Sequence, residues 1–472
     1  MKSYRIIGIM SGTSLDGVDL ASCIFEESES GYTFELGPCE TIPYDETWLS
    51  RLKNLPQATA LEYAETHTAY GRYLGELTRI FIQKNHVSAD FVASHGHTIF
   101  HNPKLHYTSQ IGEGAALAFA CGLPVVCDFR TGDVAAGGHG APLVPIGDQL
   151  LFPDFEYCLN LGGFANISMH QNGKRVAFDI SPANIILNHI ANQAGRTYDK
   201  DGELAASGKI HNELLETLNA LGYYHMPPPK SLGREWIEKE ILPMLIHYNV
   251  SPADAACTFC EHISIQIAAS LQTYPEGKML ITGGGAFNRY LIERMAAYTR
   301  VTFVIPDPKI INYKEALIFA YLGLRRMQVQ PNCLASVTGA SFDVSGGAVY
   351  LPPSPINPET ISSDHYLHQT NFNSTHFKPG LPYSKKKHCY ESKHESFDCH
   401  GYLHSSINAS FNLCLSTCCN STPIWYQVRI HHFCPYVTWC SCVSSQNHVC
   451  SFRWFSSITF TKIPVSSRIL IY

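Results

Sequence analysis

Residues 6–25, IIGIMSGTSLDGVDLASCIF, decide the fold: an apolar run, a turn rich in Gly, Ser and Thr, and a second apolar run. The pattern predicts two strands joined as a hairpin, whose turn can surround phosphate with backbone N–H groups. It is not a Walker A loop, because no Gly-Lys-Ser/Thr follows. It also differs from the Rossmann fingerprint, which needs a helix where this chain has a strand. Taken alone, such a turn is more often an ordinary hairpin.

A second hairpin of the same kind is predicted at residues 157–168, YCLNLGGFANIS. Two such hairpins, each opening a βαβ-type half, indicate a duplicated α/β fold that clamps a nucleotide between its halves. Residues 277–295, GKMLITGGGAFNRYLIERM, predict a strand, three glycines and a helix. A tight strand–helix turn rarely needs three glycines, and glycines let a ligand approach the backbone closely.

A long Gly-rich segment between the two hairpins, RTGDVAAGGHGAPLVPIGD, is predicted to be a structureless loop. It carries Arg130 and Asp133, and Asp128 precedes it. A loop of this length within a compact domain usually has a function. We therefore expect these polar residues to line a ligand pocket.

Two further carboxylates sit beside predicted helices. The segment VAFDISPANIILNHIANQAG reads as strand, turn and helix, with Ser181 as N-cap. Asp179 is then at the carboxyl end of a strand, where open α/β sheets bind ligands, although a capping role fits it as well. Glu315 is predicted in the first turn of a helix over NYKEALIFAYLGLRRM, where the helix dipole alone favours a carboxylate.

Composition limits the class of protein. The 472 residues exceed a usual single domain, and 45% hydrophobic content is ample for a buried core. The formal net charge is only −6, with no long basic run before residue 380, so nucleic acid is not an expected partner. No signal-peptide pattern opens the chain and no apolar run approaches 18 residues, which predicts a cytoplasmic protein without a membrane partner.

The composition changes near residue 356. Residues 357–472 contain nine of the 17 cysteines and ten of the 23 histidines but only two of the 34 glycines. Nine basic against five acidic residues give this segment a formal charge of +4, whereas 25 against 35 give −10 up to residue 356. Such a composition is unusual for a packed domain. We interpret 357–472 as a tail, disordered or aberrant, that carries no site.

Cysteine patterns leave one alternative open. Cys257 and Cys260 form a CxxC pair by spacing, but they lie in a helical pattern and are interpreted as buried, reduced thiols. In the tail, an irregular zinc module is a rival interpretation. Its candidate ligands would be Cys399, His400, Cys414, Cys418, Cys419 and Cys434. No metal ligand is otherwise predicted.

Taken together and in order, these pieces resemble the anhydro-N-acetylmuramic acid kinases of the actin/hexokinase/Hsp70-like superfamily. The resemblance extends from residue 6 to about residue 352. Its blocks are GIMSGTSLDGVDLA, SHGHTIFH, DFRTGDVAAGGHGAPLVP, LNLGGFANIS, AFDISPAN, KSLGREW, ITGGGAFN and SVTGAS.

The resemblance implies an α/β fold of two actin-like domains with a ligand cleft between them. The first domain would comprise residues 1–135, completed by about 325–355, and the second residues 136–325. It further implies an ATP- and Mg²⁺-dependent kinase that adds water to 1,6-anhydro-N-acetylmuramic acid and phosphorylates O6. The products would be N-acetylmuramic acid 6-phosphate and ADP, in peptidoglycan recycling. The family often forms homodimers.

The resemblance also assigns roles to residues. Asp179 matches the catalytic base, and Asp128, Arg130, Asp133 and Glu315 match the sugar side, with Arg130 suited to the lactyl carboxylate. The nucleotide, its phosphates and Mg²⁺ would be bound by Gly12, Thr13, Ser14, Leu15, Asp16, Gly17, Val18, Asp19, Gly162, Gly163, Asn166, Gly283, Gly284, Gly285 and Asn288.

Two departures and two rivals remain. His139 stands where the family pattern has glutamine, and DISPAN replaces the commoner DTGPGN; neither departure removes a charged catalytic group. One rival is an actin-like sugar kinase that phosphorylates a free hydroxyl. The other is an actin-like nucleotide-binding protein without sugar chemistry, which would leave the long loop and Asp179 without a role.

Overall fold

The computed structural model describes residues 2–12, 15–29, 31–271 and 276–353, together with seven short strands beyond residue 395. The chain divides into two compact units, Met1–Thr360 and Ile361–Tyr472. The predicted site residues all belong to the first unit.

The first sheet of this unit has six strands: β1 Lys2–Met10, β2 Val18–Ser28, β3 Gly31–Ile42, β4 Phe91–Ser94, β7 Val125–Cys127 and β13 Ala348–Tyr350. Their order in the sheet is β13-β7-β4-β1-β2-β3. Strands β1, β2 and β3 form an antiparallel meander, β4 and β7 continue it in parallel, and β13 closes the edge antiparallel. The predicted first hairpin is thus confirmed.

The second sheet has five strands in the order β10-β9-β8-β11-β12 and repeats the pattern of the first. Its first three strands are again an antiparallel meander and the last two are parallel. Their bounds are β8 Tyr157–Leu161, β9 Phe164–Gln171, β10 Lys174–Pro182, β11 Lys278–Thr282 and β12 Thr302–Val304. This repetition confirms the second hairpin and the duplicated, two-domain actin-like α/β fold class. A separate two-stranded sheet joins β5 His97–Asn102 to β6 Tyr107–Ile111.

Helices cover both sheets. They are α1 Glu46–Asn54, α2 Ala60–Asn85, α3 Gly114–Cys121, α4 Thr131–Ala135, α5 Val144–Leu151, α6 Asn184–Gln193, α7 Glu203–Ser207, α8 Asn212–Asn219, α9 Arg234–Trp236, α10 Leu242–Tyr248, α11 Pro252–Ser270, α12 Arg289–Tyr298, α13 Pro308–Met327 and α14 Ala335–Thr338. A π-helical turn, Ile237–Ile241, joins α9 to α10, and a 3₁₀ turn, Gly284–Phe287, precedes α12.

The local sequence explains where the longest helix begins and which face it buries. Thr59 and Glu62 form a reciprocal capping box at the start of α2, which satisfies two otherwise unpaired N–H groups. Tyr70, Leu74 and Phe81, at helical spacing, are buried against the first sheet. The apolar residues at helical spacing therefore form the face that packs on the sheet.

Three apolar cores arrange these elements in layers. One face of the first sheet packs on α2 and α3, and one face of the second packs on α6, α8, α11 and α12. The two inner faces share a third core that contains α5 and α13. Helix α13 therefore contacts both halves, which places its polar residues at the boundary between them.

Three local predictions were wrong. The segment predicted as a structureless loop contains α4 and α5. Ser181 is not an N-cap, because β10 continues through Pro182 and α6 begins at Asn184 without a side-chain cap. Glu315 is not in a first turn, because α13 begins at Pro308. The helix dipole therefore does not explain its presence.

The second unit is described only by short strands, whose pairings include Ser396–Cys399 with Cys440–Val443 and Gln427–Ile430 with Ile458–Thr461. The predictions that the tail is disordered and that it could hold zinc concern residues that otherwise lie outside the described part. Within the described residues, every helix is too short or too polar to span a bilayer.

Candidate active site

A polar pocket of about 290 Å³ opens where the first hairpin meets α13. Its lining combines the turn and the adjacent strand positions with one face of the helix. The lining residues are Met10, Gly12, Asp16, Gly17, Asp19, Thr41, Asn312, Tyr313 and Glu315. Sequence positions 300 residues apart are thus brought together, and five of the predicted site residues share one pocket.

The carboxylates of this pocket influence one another. Burial raises the pKa of Asp19, a hydrogen bond of 2.6 Å donated by Thr41 Oγ1 lowers it, and the nearby charge of Asp16 raises it again. Burial also raises the pKa of Glu315, and the positive charges of Lys314 and Arg130 act to lower it. Several carboxylates held close together in a partly buried pocket favour the binding of a cation.

A buried hydroxyl cluster lies behind the hairpin turn. Ser11 Oγ is 2.7 Å from Tyr44 Oη, 2.6 Å from Tyr70 Oη and 3.1 Å from His97 Nδ1, and the two tyrosine hydroxyls are 2.6 Å apart. Burial lowers the pKa of His97 to about 4, so the ring is neutral at pH 7. Ser11 thereby fixes the start of the turn from the side opposite the pocket.

The glycines of the second half leave room for a ligand. The carbonyl groups of Gly162 and Gly163 accept hydrogen bonds from the N-terminal backbone of α6, while their N–H groups have no acceptor among the described residues. A Cβ at Gly163 or Gly284 would meet nothing closer than 3.5 Å. Gly283 is required for another reason: its φ is +81°, and a Cβ there would lie 2.6 Å from Asn160 Oδ1.

Asp179 belongs to a polar row across the second sheet. Pairing in register places Thr282 beside Asn160, Asn160 beside Asn166, and Asn166 beside Asp179. Directly paired residues point to the same face of a sheet. The side chains of Asn160 and Asn166 form no hydrogen bond with any described residue. Two unpaired amides therefore accompany the carboxylate at the carboxyl end of the sheet.

The Asp179 carboxylate is held at one oxygen only. Its Oδ2 accepts a hydrogen bond of 2.9 Å from Leu232 N, and Oδ1 accepts none from the described residues. Burial raises the pKa of Asp179, and the Leu232 N–H lowers it. One oxygen is thus anchored, and the other is free to take a proton.

The Arg130 guanidinium is held by three hydrogen bonds. Its Nε and Nη2 donate to His95 Nε2 at 3.1 and 2.8 Å, and Nη1 donates to Gly140 O at 2.7 Å. His95 must therefore carry its proton on Nδ1, which donates to Gly96 O at 2.8 Å. Burial and Arg130 hold the pKa of His95 well below its usual range, and burial lowers that of Arg130 to about 10. The Arg130 guanidinium still has N–H groups that can bind an anion.

The two aspartates near Arg130 have different surroundings. Asp133 is fully buried, and its oxygens accept hydrogen bonds from Gly140 N at 2.7 Å and Thr338 Oγ1 at 2.8 Å. It therefore shapes the Gly-rich segment from within. Asp128 is exposed at φ +58° and accepts a 2.5 Å bond from Thr131 Oγ1. His139 is exposed and is held by its backbone N–H, which donates to Thr338 O.

The remaining predicted residues have varied positions. Thr13 and Ser14 lie outside the described residues. Leu15 has a φ of +63° and packs on the core between the first sheet and α2, where Val18 is fully buried. Asn288 Oδ1 caps α12 by accepting from Leu291 N, so this side chain is already engaged.

Sequence reasoning missed several residues that these contacts single out: Ser11, His95, Asn160 and the segment that supplies Leu232. All four were within quoted blocks, but their partners are 33 or more positions away or on adjacent strands. Only Asn160 had a readable signal, because it is a polar residue in an apolar strand two positions before the second Gly-rich turn.

The chemistry of the first pocket fits Mg²⁺. Among residues 2–353, apart from the gaps, no three His, Cys, Asp or Glu side chains are arranged to hold a metal by themselves. Mg²⁺, however, is usually held by one or two carboxylates together with water and substrate phosphate. Asp16, Asp19 and Glu315 offer such oxygens. The open glycine turns likewise fit a phosphate chain.

Solved structures with similar chains are distant. They include an activator of 2-hydroxyisocaproyl-CoA dehydratase from Clostridium difficile with bound ADPNP, at 13% identity over 69% of this chain and 97% of that one, TM-score 0.36. A ROK family glucokinase from Streptomyces griseus with glucose and AMPPNP has 10% identity over 67% and 98%, TM-score 0.31. Similarity at this level carries no conclusion about substrate or mechanism.

The family comparison is decisive. The sequence model of the anhydro-N-acetylmuramic acid kinases matches residues 4–352, nearly three quarters of the chain. The match covers both hairpins, the Gly-rich segment, Asp179 and α13. The chain therefore belongs to the anhydro-N-acetylmuramic acid kinase family and is an ATP-dependent kinase.

Proposed function

We propose that this kinase opens the 1,6-anhydro ring of anhydro-N-acetylmuramic acid with water and transfers the γ-phosphoryl group of ATP to O6. Water oxygen bonds to C1 as the C1–O6 bond breaks, and O6 bonds to the γ-phosphorus as its bond to the ADP oxygen breaks. The water proton goes to Asp179. The products are N-acetylmuramic acid 6-phosphate and ADP, and the reaction would serve peptidoglycan recycling in the cytoplasm.

The observation that carries this proposal is the asymmetric carboxylate of Asp179. A base that activates water needs one oxygen in a fixed position and free of other donors. Anchoring of Oδ2 by Leu232 N with Oδ1 unengaged supports that role. Burial raises the pKa of Asp179, which makes its ionised carboxylate a stronger base.

The first pocket would take the phosphates. Phosphoryl transfer depends on positioning and on neutralising charge rather than on covalent help from the protein. Asp16 and Asp19 would hold Mg²⁺, directly or through water, and Glu315 would support the metal or the sugar. Mg²⁺, when bound, neutralises the charge that develops on the transferred group. The open N–H groups of Gly162 and Gly163 support the same role from the second half.

Arg130 would recognise the sugar. A carboxylate accepts two parallel hydrogen bonds from a guanidinium held in a fixed orientation. His95 and Gly140 O fix that orientation here. The lactyl carboxylate of the substrate is the group that such a fork would bind. Asp128 would contact the sugar from the exposed edge, whereas the buried Asp133 would support the loop.

The wider arrangement is also proposed. We place the first Gly-rich hairpin in a domain of residues 1–135 with about 325–355, and Asp179 in a domain of residues 136–325, so that the reaction occurs between two domains. Closure of the domains would exclude bulk water, which limits wasteful hydrolysis of ATP. A homodimer and a dispensable tail at 357–472 complete this proposal.

The test is ADP release by the full chain, measured with 1,6-anhydro-N-acetylmuramic acid and, separately, with N-acetylmuramic acid. The account predicts turnover that requires the anhydro sugar, and its loss in Asp179→Asn. Turnover with the open sugar at an equal or higher rate would instead indicate a kinase for a free hydroxyl. Absence of sugar-dependent turnover in folded, nucleotide-binding protein would remove the substrate assignment.

A further inference from the structure

A segment outside the second sheet holds Asp179 in place. Residues 223–232, here called the strap, run from a 3₁₀ turn at Gly222–His225 toward α9. Three hydrogen bonds join the strap to Asp179: Asp179 N donates to Lys230 O at 3.1 Å, Leu232 N donates to Asp179 Oδ2 at 2.9 Å, and Tyr223 Oη donates to Asp179 O at 2.7 Å. The strap thus engages both the backbone and the carboxylate.

The sheet itself does not provide this support. The pairing of β10 with β9 is regular up to Asp179 and shifts register between Asp179 and Ser181. β10 is the edge strand of this sheet, so backbone groups that point away from β9 have no partner strand. The N–H and C=O groups of Asp179 bond instead to Lys230 O and Tyr223 Oη. The strap therefore covers the open edge of the sheet at Asp179.

Lys230 ties the two ends of the strap together. Its Nζ donates to the carbonyl groups of Tyr223 at 3.2 Å and Tyr224 at 3.5 Å, and it lies 4.7 Å from the centre of the Tyr223 ring. Tyr223 is 92% buried, and its ring packs at 5.5 Å from that of Trp236. One side chain thus keeps Tyr223 and the backbone of residues 230–232 in a single arrangement.

We infer that Tyr223 and Lys230 are positioning residues for Asp179, which they hold with Oδ2 anchored and Oδ1 directed at the reacting water. The inference rests on the proposed function, because it assumes that Asp179 is the base. Neither side chain bonds to the Asp179 carboxylate itself. Each acts through the three hydrogen bonds of the strap.

The test compares Tyr223→Phe and Lys230→Met with the wild type in the full chain, by ADP release across pH. Both variants should lower kcat about tenfold to a hundredfold, since small displacements of a catalytic group have effects of that size. KM for both substrates should stay within about twofold, because neither residue binds them. Exposed residues provide matched controls, Tyr198→Phe and Lys239→Met, which should retain wild-type kinetics.

The pH profile separates positioning from general destabilisation. The Leu232 N–H lowers the pKa of Asp179 by stabilising its ionised form, so a loosened strap should raise that pKa. Because the base must be ionised to act, the acid limb of kcat should move to higher pH. Lys230→Arg, which retains the charge and donors, should restore most of kcat and the wild-type limb.

The outcomes are distinguishable. The inference would be overturned if both variants had wild-type kcat and an unmoved acid limb while Asp179→Asn was inactive. The proposed function would then still stand. A loss of kcat that follows a lower melting temperature, without any shift of the limb, would also overturn it. Activity retained in Asp179→Asn would overturn the proposed function itself. ADP titration of each variant confirms that it is folded.

Discussion

The two halves of the catalytic unit share one strand order but engage their carboxylates differently. In the first sheet, register places Met10, Asp19 and Thr41 in one row across three strands. The corresponding row of the second sheet is Asn160, Asn166 and Asp179. The acid thus stands on the middle strand of one meander and on the outer strand of the other.

The partners of the two acids differ as well. Asp19 accepts its hydrogen bond from Thr41, a neighbour within the sheet, and shares its pocket with Asp16. Asp179 is held from outside the sheet, by Leu232, and has no second carboxylate beside it in the row. A duplicated scaffold can therefore provide two chemical roles. Clustered carboxylates suit a cation with phosphates, whereas a solitary, anchored carboxylate suits proton transfer.

The largest effect should come from removing the solitary acid. Asp179→Asn keeps the shape of the side chain but cannot accept the proton of water at a useful rate. We expect kcat to fall by about 10²–10⁴, the usual contribution of a general base. Steady-state ADP release with the anhydro sugar measures this. Asp154→Asn, an exposed loop variant, is the matched control. A fall of less than threefold would show that the two acids do not differ as described.

A smaller effect on the rate should follow from replacing Asp19, which shares its pocket with other carboxylates. Asp19→Asn should lower kcat/KM for ATP by about tenfold to a hundredfold and raise the Mg²⁺ concentration needed for half-maximal rate, because a metal-binding charge is lost. Thr41→Val removes the donor that lowers the pKa of Asp19, so that pKa should rise. The acid limb of kcat/KM for ATP would then move to higher pH. An unchanged Mg²⁺ requirement in Asp19→Asn would contradict the assignment.

Replacing Arg130, on the proposed sugar side, should change KM for the anhydro sugar. Arg130→Lys keeps the charge but loses the planar fork and two of the contacts to His95. We expect KM for the anhydro sugar to rise about tenfold with kcat nearly unchanged, since the lost contact is present before and during the reaction. Substrate titration at saturating ATP measures it. His139→Gln, at an exposed neighbouring position, should change KM less than twofold; a larger change would place His139 in the sugar site.

The smallest effect should come from the tail. The family match ends at residue 352, so a chain shortened to residues 1–356 should keep kcat and both KM values within about twofold of the full chain. ADP release and a thermal melt of the two forms compare them. A shortened chain that is folded but inactive would show that the last 116 residues contribute to catalysis.

Local patterns in the sequence were enough to predict the hairpins and the glycine turn before α12. Period-2 and period-3.6 patterns depend on neighbours in sequence. Glu315 was placed wrongly although Asp307 as N-cap and Pro308 at the first helical position mark the start of α13 seven residues earlier. The strap and the Arg130–His95 contact gave no local signal, since they join residues 53 and 35 positions apart. Such partners are fixed by tertiary packing, which a single sequence does not reveal.

The central claim is that water enters at C1 while O6 receives the phosphoryl group. The most direct test is to run the reaction in ¹⁸O-labelled water and to measure the product masses by mass spectrometry. The account predicts one ¹⁸O in the sugar 6-phosphate, on the C1 hydroxyl, and none in the phosphoryl group. Unlabelled product kept in the same water for the same time corrects for exchange at C1. A sugar phosphate without label, or ADP formation matched by labelled inorganic phosphate, would contradict the account.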